Sequence, residues 1–185
     1  REKAIKSNRI LEEAGIQGGY AFMVGFPQEL VEAKDEIWQT LMLIKAMRKA
    51  HPEVVTLTFY VTPYPGTPIF DIAVGLKLKM PEKTEDWADW ESTSVSTTWI
   101  SDRDRDMVER CNNFYFLFAY PNAQIRKRMR MMKWKLILYP VHWLAAARCA
   151  LNFYRLPVEW RLMKLMFKTR RFRRVGSQID ALRGY

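Results

Sequence analysis

The chain has little of what most catalytic sites are built from. It contains two histidines, His51 and His142, neither with a matched partner, so a Ser-His-Asp triad or a histidine metal site is excluded. Its two cysteines, Cys111 and Cys149, are far apart and in no metal-ligand spacing. That excludes a disulfide framework and fits small core residues of a reduced, cytosolic protein. No signal-peptide pattern is present. Long apolar runs are missing too. The longest, Leu136–Leu151, is interrupted by Pro140 and Arg148 and falls short of the roughly 20 residues a spanning helix needs. Acid is nearly absent from one region: residues 126–174 hold 15 Lys or Arg and only Glu159, a balance of +14. The remainder holds 15 basic and 19 acidic residues, a balance of −4.

What is present is globular. The 185 residues are 49% hydrophobic, which excludes general disorder and suits one domain with an appendage. The chain opens at Arg1 in a stretch already helical in pattern, so the expectation is a piece of a longer protein.

The organising stretch is Tyr20-Ala-Phe-Met-Val-Gly-Phe-Pro-Gln-Glu29. A short apolar run ending at Gly25 and Pro27 reads as a buried strand of a parallel sheet. Ile5, Leu11 and Ala14 before it read as a helix stopped by Gly15. After it, Val31, Ile37, Trp38, Leu41, Ile44 and Ala46 or Met47 form the stripe of a helix over residues 30–50. Lys34, Glu36, Lys45 and Lys49 lie mostly opposite. A second strand, Val54–Val61, alternates. Val55, Leu57, Phe59 and Val61 take one face. Thr56, Thr58 and Tyr60 take the other, which is expected to line a polar lumen. In Pro63-Tyr-Pro-Gly-Thr-Pro68 the prolines stiffen a loop and Gly66 bends it. Thr67 caps a short helix with Pro68 at its first position. The two strands are expected to be parallel neighbours joined by the intervening helix.

The Gly-Phe-Pro-x-Glu and Pro-x-Pro-Gly-Thr-Pro pair, with this strand spacing, resembles the later half of a radical S-adenosylmethionine (SAM) enzyme. The nearest likeness is to the cobalamin-binding-domain class, which includes the anaerobic magnesium-protoporphyrin ester cyclases. Residues 1–100 carry the resemblance. It implies an α/β fold: the C-terminal half of a partial TIM-like barrel over residues 1–100, then a basic helical extension over 101–185. It implies SAM, a [4Fe-4S] cluster and a cobalamin on a separate domain as cofactors. The cluster's Cys-x3-Cys-x2-Cys pattern is not in this chain and is expected upstream of Arg1. The chemistry implied is radical methylation or cyclisation of a small lipid-like or tetrapyrrole-like substrate, with a reductant protein as partner. Cofactor contacts fall on Met23, Gly25, Pro27 and Glu29 in the first loop and on Tyr60 and Pro63 in the second. Met23 would pack on adenine, and Gly25 would leave room for it. The family strand usually reads Gly-x-Ile-x-Gly-x-x-Glu. Here Ala21 replaces the first Gly, Met23 the Ile, and Gln28 stands at the Glu position, with Glu29 one residue later.

Beyond the second loop, Trp87, Trp90 and Trp99 sit in an irregular stretch that the resemblance implies closes one edge of the barrel beside the substrate, or that reads simply as a loop pinned by aromatic anchors. Ser101-Asp-Arg-Asp104 starts a helix whose stripe is Met107, Cys111, Phe114 and Phe118, ending near Pro121. The basic region is read as helices broken at Pro140 and Pro157, lying on the inner face of an anionic membrane without crossing it. A non-catalytic basic module for membrane or nucleic acid is the alternative to an enzyme portion.

Overall fold

The computed structural model describes residues 2–28, 35–90, 97 and 99–168. Glu29, the expected helix start at 30–34 and the basic run Arg170–Arg174 lie outside them. Twelve residues, Glu2–Glu13, form α1. Gly15 stops it at φ +68°, with the Ile16 amide reaching back to Leu11 O at 2.8 Å. Strand β1 is Gly19–Val24, α2 is Glu36–Ala50 and β2 is Val55–Tyr60. The strands pair in parallel, from Gly19 opposite Val55 to Val24 opposite Tyr60. Helix α2 is the crossover that a parallel pair requires. Its Leu41, Ile44 and Met47 are fully buried, as the stripe predicts. On α1, Asn8 is also fully buried and donates to Met47 O at 2.9 Å, tying the two helices.

The alternation of β2 is borne out, but its faces are the reverse of the sequence expectation. The Thr/Tyr face meets helices. Thr56 accepts from Arg48 Nε of α2 at 2.9 Å, and Thr58 accepts from the Asn112 amide. Phe22, Val24 and Tyr60 join the core on that same side. Buried hydroxyls are tolerated there because they are paired. Leu57 and Phe59, with Ala21 and the 54%-exposed Met23, are left on the open face. Both faces of so short a strand carry β-formers, so alternation alone cannot say which one is covered.

The rest is helical: α3 Pro68–Gly75, a 3₁₀ turn Thr84–Asp89, α4 Asp102–Arg110, α5 Phe116–Ala119, α6 Ala123–Met129, α7 Met132–Leu151 and α8 Val158–Lys168. A π turn, Cys111–Tyr115, joins α4 to α5. The helix start at Ser101 is as expected, its Oγ accepting from Asp104 N at 3.2 Å. The run beyond it is more than an amphipathic stripe: Phe114, Tyr115, Phe116, Leu117, Phe118 and Ala119 are all buried. A helical segment apolar all round belongs inside, and this one is the centre of the core. That core crosses residue 100. It joins Val24, Leu41 and Ile44 to Ala145, Cys149, Tyr154 and Trp160. His142 is packed, its Nδ1 at 2.8 Å from Phe118 O.

Pro140 does not break α7, contrary to the sequence expectation. A mid-helix proline costs about 3 kcal/mol, yet Leu138 and Val141 on either side of it pack against the core. Burial of that order outweighs one missing hydrogen bond. Pro157 does mark a boundary, just before α8.

Candidate functional site

The two loops that follow the parallel strands are each fixed by an indole. Trp99 Nε1 donates to Gly25 O at 2.9 Å, at the end of β1. Trp90 Nε1 donates to Pro63 O at 3.0 Å, at the end of β2. Trp87 packs edge-on against Trp90, with centroids 5.7 Å apart. Trp90 and Trp99 therefore each anchor one strand end, and Trp87 supports Trp90. Glu36, at the start of α2, takes the Gly25 amide at 2.9 Å. In the second loop Pro65 and Gly66 occupy the two central positions of a turn closed by Thr67 N to Tyr64 O at 3.2 Å. Gly66 at φ +82° is what a type II turn needs there. Thr67 precedes α3 but does not cap it. Its hydroxyl donates backward to Tyr64 O at 2.7 Å, which rigidifies the loop instead.

These loops and the open sheet face enclose a cleft of about 660 Å³ at the carboxyl ends of the strands. Ala21, Met23, Phe59, Val61, Tyr64 and Ile69 make its wall almost wholly apolar, with the hydroxyls of Thr62 and Thr67 among the few polar groups. The volume is in the range of small-molecule sites, and the position is the usual one for ligands of parallel α/β sheets.

Of the residues singled out in the sequence, Met23 and Tyr60 both border this cleft, Met23 from the open face and Tyr60 from the strand end, its ring turned to the helix side. Tyr60 lies under the Arg105 guanidinium, 4.9 Å from the ring centroid, and its hydroxyl is 3.4 Å from Arg105 O. Burial raises the phenol pKa, against the pull of Arg105, so Tyr60 stays protonated at neutral pH. Pro27 and Pro63 are fully buried and shape the loops from beneath. Gly25 opens on a separate recess of about 190 Å³, with Glu36, Trp99 and Ile100. The room it leaves is already taken. An added Cβ would overlap Ile100 Cδ1 and stand 2.9 Å from its Cγ1. Gly25 therefore makes way for Ile100, at φ +78°, a conformation that favours glycine. Glu29 lies outside the described residues. Sequence reasoning did not assign Ile100 or Glu36 to this site, because their contacts with Gly25 are made only by the tertiary fold.

A second groove of about 350 Å³, of mixed polar and apolar lining, runs along β2, between that strand and α4 with the π turn. Arg48, Thr56, Thr58 and Asn112 face it, already engaged with one another.

Chemically, the apolar cleft offers contact area and a few hydroxyls. No cluster of three His, Cys, Asp or Glu suited to a metal occurs among the described residues. Cys111 and Cys149 are buried, and burial pushes both thiols up, away from the thiolate. Comparison with family models, curated proteins and solved structures finds no match to the chain.

Proposed function

We propose that the chain is the later part of a radical SAM enzyme of the cobalamin-binding-domain class, with the open sheet face forming part of its barrel interior. One observation carries this reading. Among the described residues the core helices pack on one face of the two parallel strands, and both carboxyl-terminal loops converge on one apolar cleft on the other. In a β/α barrel the helices lie outside and the ligand sits at the carboxyl ends of the strands. The face that carries Ala21, Met23, Leu57 and Phe59 is then the interior one.

The cleft fits the adenosyl part of SAM in character. Met23 is a polarizable apolar surface for a purine, and Thr62 and Thr67 offer hydroxyls nearby. Gly25 is a poorer fit as a ligand contact, since its carbonyl, its amide and the space at its Cα are all occupied. The two buried thiols do not fit an iron–sulfur cluster, whose ligands on this reading come from chain preceding Arg1. SAM and a reduced cluster would together supply the radical for methylation or cyclisation of an apolar substrate. This chain's residues would hold and orient the ligand.

The test is SAM affinity in the complete enzyme with its cluster reconstituted. Met23 is solvent-facing, so Met23→Glu should fold normally. It should weaken SAM about ten-fold or more, because a carboxylate is placed where an apolar base packs. An unchanged affinity removes the cleft from the SAM site.

A further inference from the structure

Helix α7 presents a second feature, independent of the cleft. Its inward side is core: Ala145 and Cys149 are buried, and Leu138 and Val141 pack against the cluster. Its outward side is also apolar. Met132 and Leu136 are each 86% exposed, Trp143 68%, and Ile137, Leu144 and Leu151 are exposed as well. At 100° per residue, Met132, Leu136, Trp143 and Ala147 fall on one line, with Pro140, Leu144 and Leu151 beside it. A helix apolar all round is ordinarily enclosed, yet half of this one has no cover among the described residues.

Arg148 is the only charged side chain from Leu136 to Leu151, and it is turned away from the outward stripe. Its guanidinium pairs with Glu159, with an Nη2 to Oε2 distance of 3.0 Å, and donates to the carbonyls of Phe153, Arg155 and Leu156. It closes the end of α7 and bends the chain toward α8. The charge that appeared to interrupt the apolar run therefore does not touch the stripe. The same pairing consumes Glu159, the only acid in residues 126–174. Exposed cations flank the stripe: Lys127, Arg130 and Lys135 before it, Arg155 and Arg161 after it.

We infer that the outward face of α7 docks on an anionic lipid bilayer, with the helix lying along the surface. An apolar stripe bordered by cations, with Glu159 already paired to Arg148, matches one kind of surface: acyl chains beneath negative headgroups. Tyr139 and Trp143 belong at the level where those two zones meet. The inner face of α7 is fixed to α5 and α6, so the helix lies tangent to the body. No helix among the described residues is long and apolar enough to cross.

Sedimentation of the full chain with vesicles tests this. It should pellet with phosphatidylcholine vesicles containing phosphatidylserine and remain in solution with phosphatidylcholine alone. Arg130→Glu with Lys135→Glu should weaken binding about five-fold per charge. Leu136→Asp with Trp143→Asp should weaken it about ten-fold or more, through the lost burial. All four side chains are exposed, so an unchanged thermal midpoint is expected for both variants. Trp143 emission should shift to the blue on binding, and Trp143→Phe should abolish that shift. A chain that stays in solution with both vesicle types overturns the inference. So does binding that salt abolishes and the Asp variant leaves untouched. A concentration-dependent dimer broken by Leu136→Asp would assign the stripe to a second copy instead. Tighter salt-dependent binding to single-stranded RNA would assign the basic flank to nucleic acid.

Discussion

Gly25 shows how a residue can be legible in the sequence while its reason is not. Its position at a strand end is clear from the apolar run before it and the proline after it. The motive, room for Ile100, comes from 75 residues downstream. Gly25→Ala should therefore destabilise the chain by about 1–3 kcal/mol, from overlap with Ile100 and the left-handed backbone together. Urea unfolding of Gly25→Ala, Ile100→Ala and the double variant checks it. The double variant should cost less than the sum of the singles, because truncating Ile100 removes the atoms that the added Cβ would strike. Trp99 gives a milder case. Trp99→Phe keeps the ring but loses the bond to Gly25 O, which should cost about 1 kcal/mol by the same measurement. Of the five described residues expected to touch a cofactor, two line the apolar cleft, because a motif gives loop position and not which side of the loop faces in.

Among the elements, α8 depends on ion pairs that the sequence presents only as isolated charges. Glu159 reads there as the one acid in a basic region. In the fold it receives the Arg148 guanidinium and the Tyr115 hydroxyl, the latter at 2.7 Å. Both charges are largely buried, so Glu159→Ala should cost about 3–5 kcal/mol by leaving Arg148 unpaired. Replacing the pair by Met and Leu should cost less, as thermal unfolding would reveal. Asp106 links α4 to α8 through Trp160 Nε1 at 3.1 Å and Lys164 Nζ at 3.4 Å. Burial pushes its carboxyl up. The bond from Trp160 and the charges of Arg110 and Lys164 outweigh that and hold it below the ordinary value of 3.8. A depressed carboxylate contributes stability that is complete above that ordinary value and is lost as pH falls through the folded one. Unfolding followed below about pH 4 should therefore show a shallower acid slope for Asp106→Asn than for the native chain.

For the whole molecule, the two-stranded sheet leaves an outer edge on each strand unpaired among the described residues. Unpaired edges template association. At concentrations well above those of a vesicle assay the chain by itself should self-associate, and Ala21→Lys, at an exposed position on β1, should reduce light scattering while leaving the unfolding midpoint unchanged. The element order, the parallel pairing, the stop at Gly15 and the proline-stiffened loop were all legible from the sequence. Each is set by local chemistry: turn residues, caps and apolar periodicity act within a few residues of themselves. Which face of the sheet is covered, that α7 runs through Pro140, and that Arg148 turns inward were decided only by tertiary structure. These depend on partners 11 to 54 residues away: Glu159 for Arg148, Asn112 for Thr58, and the core that Leu138 and Val141 join. Burial energy summed over such distant contacts exceeds the local preferences that a sequence displays.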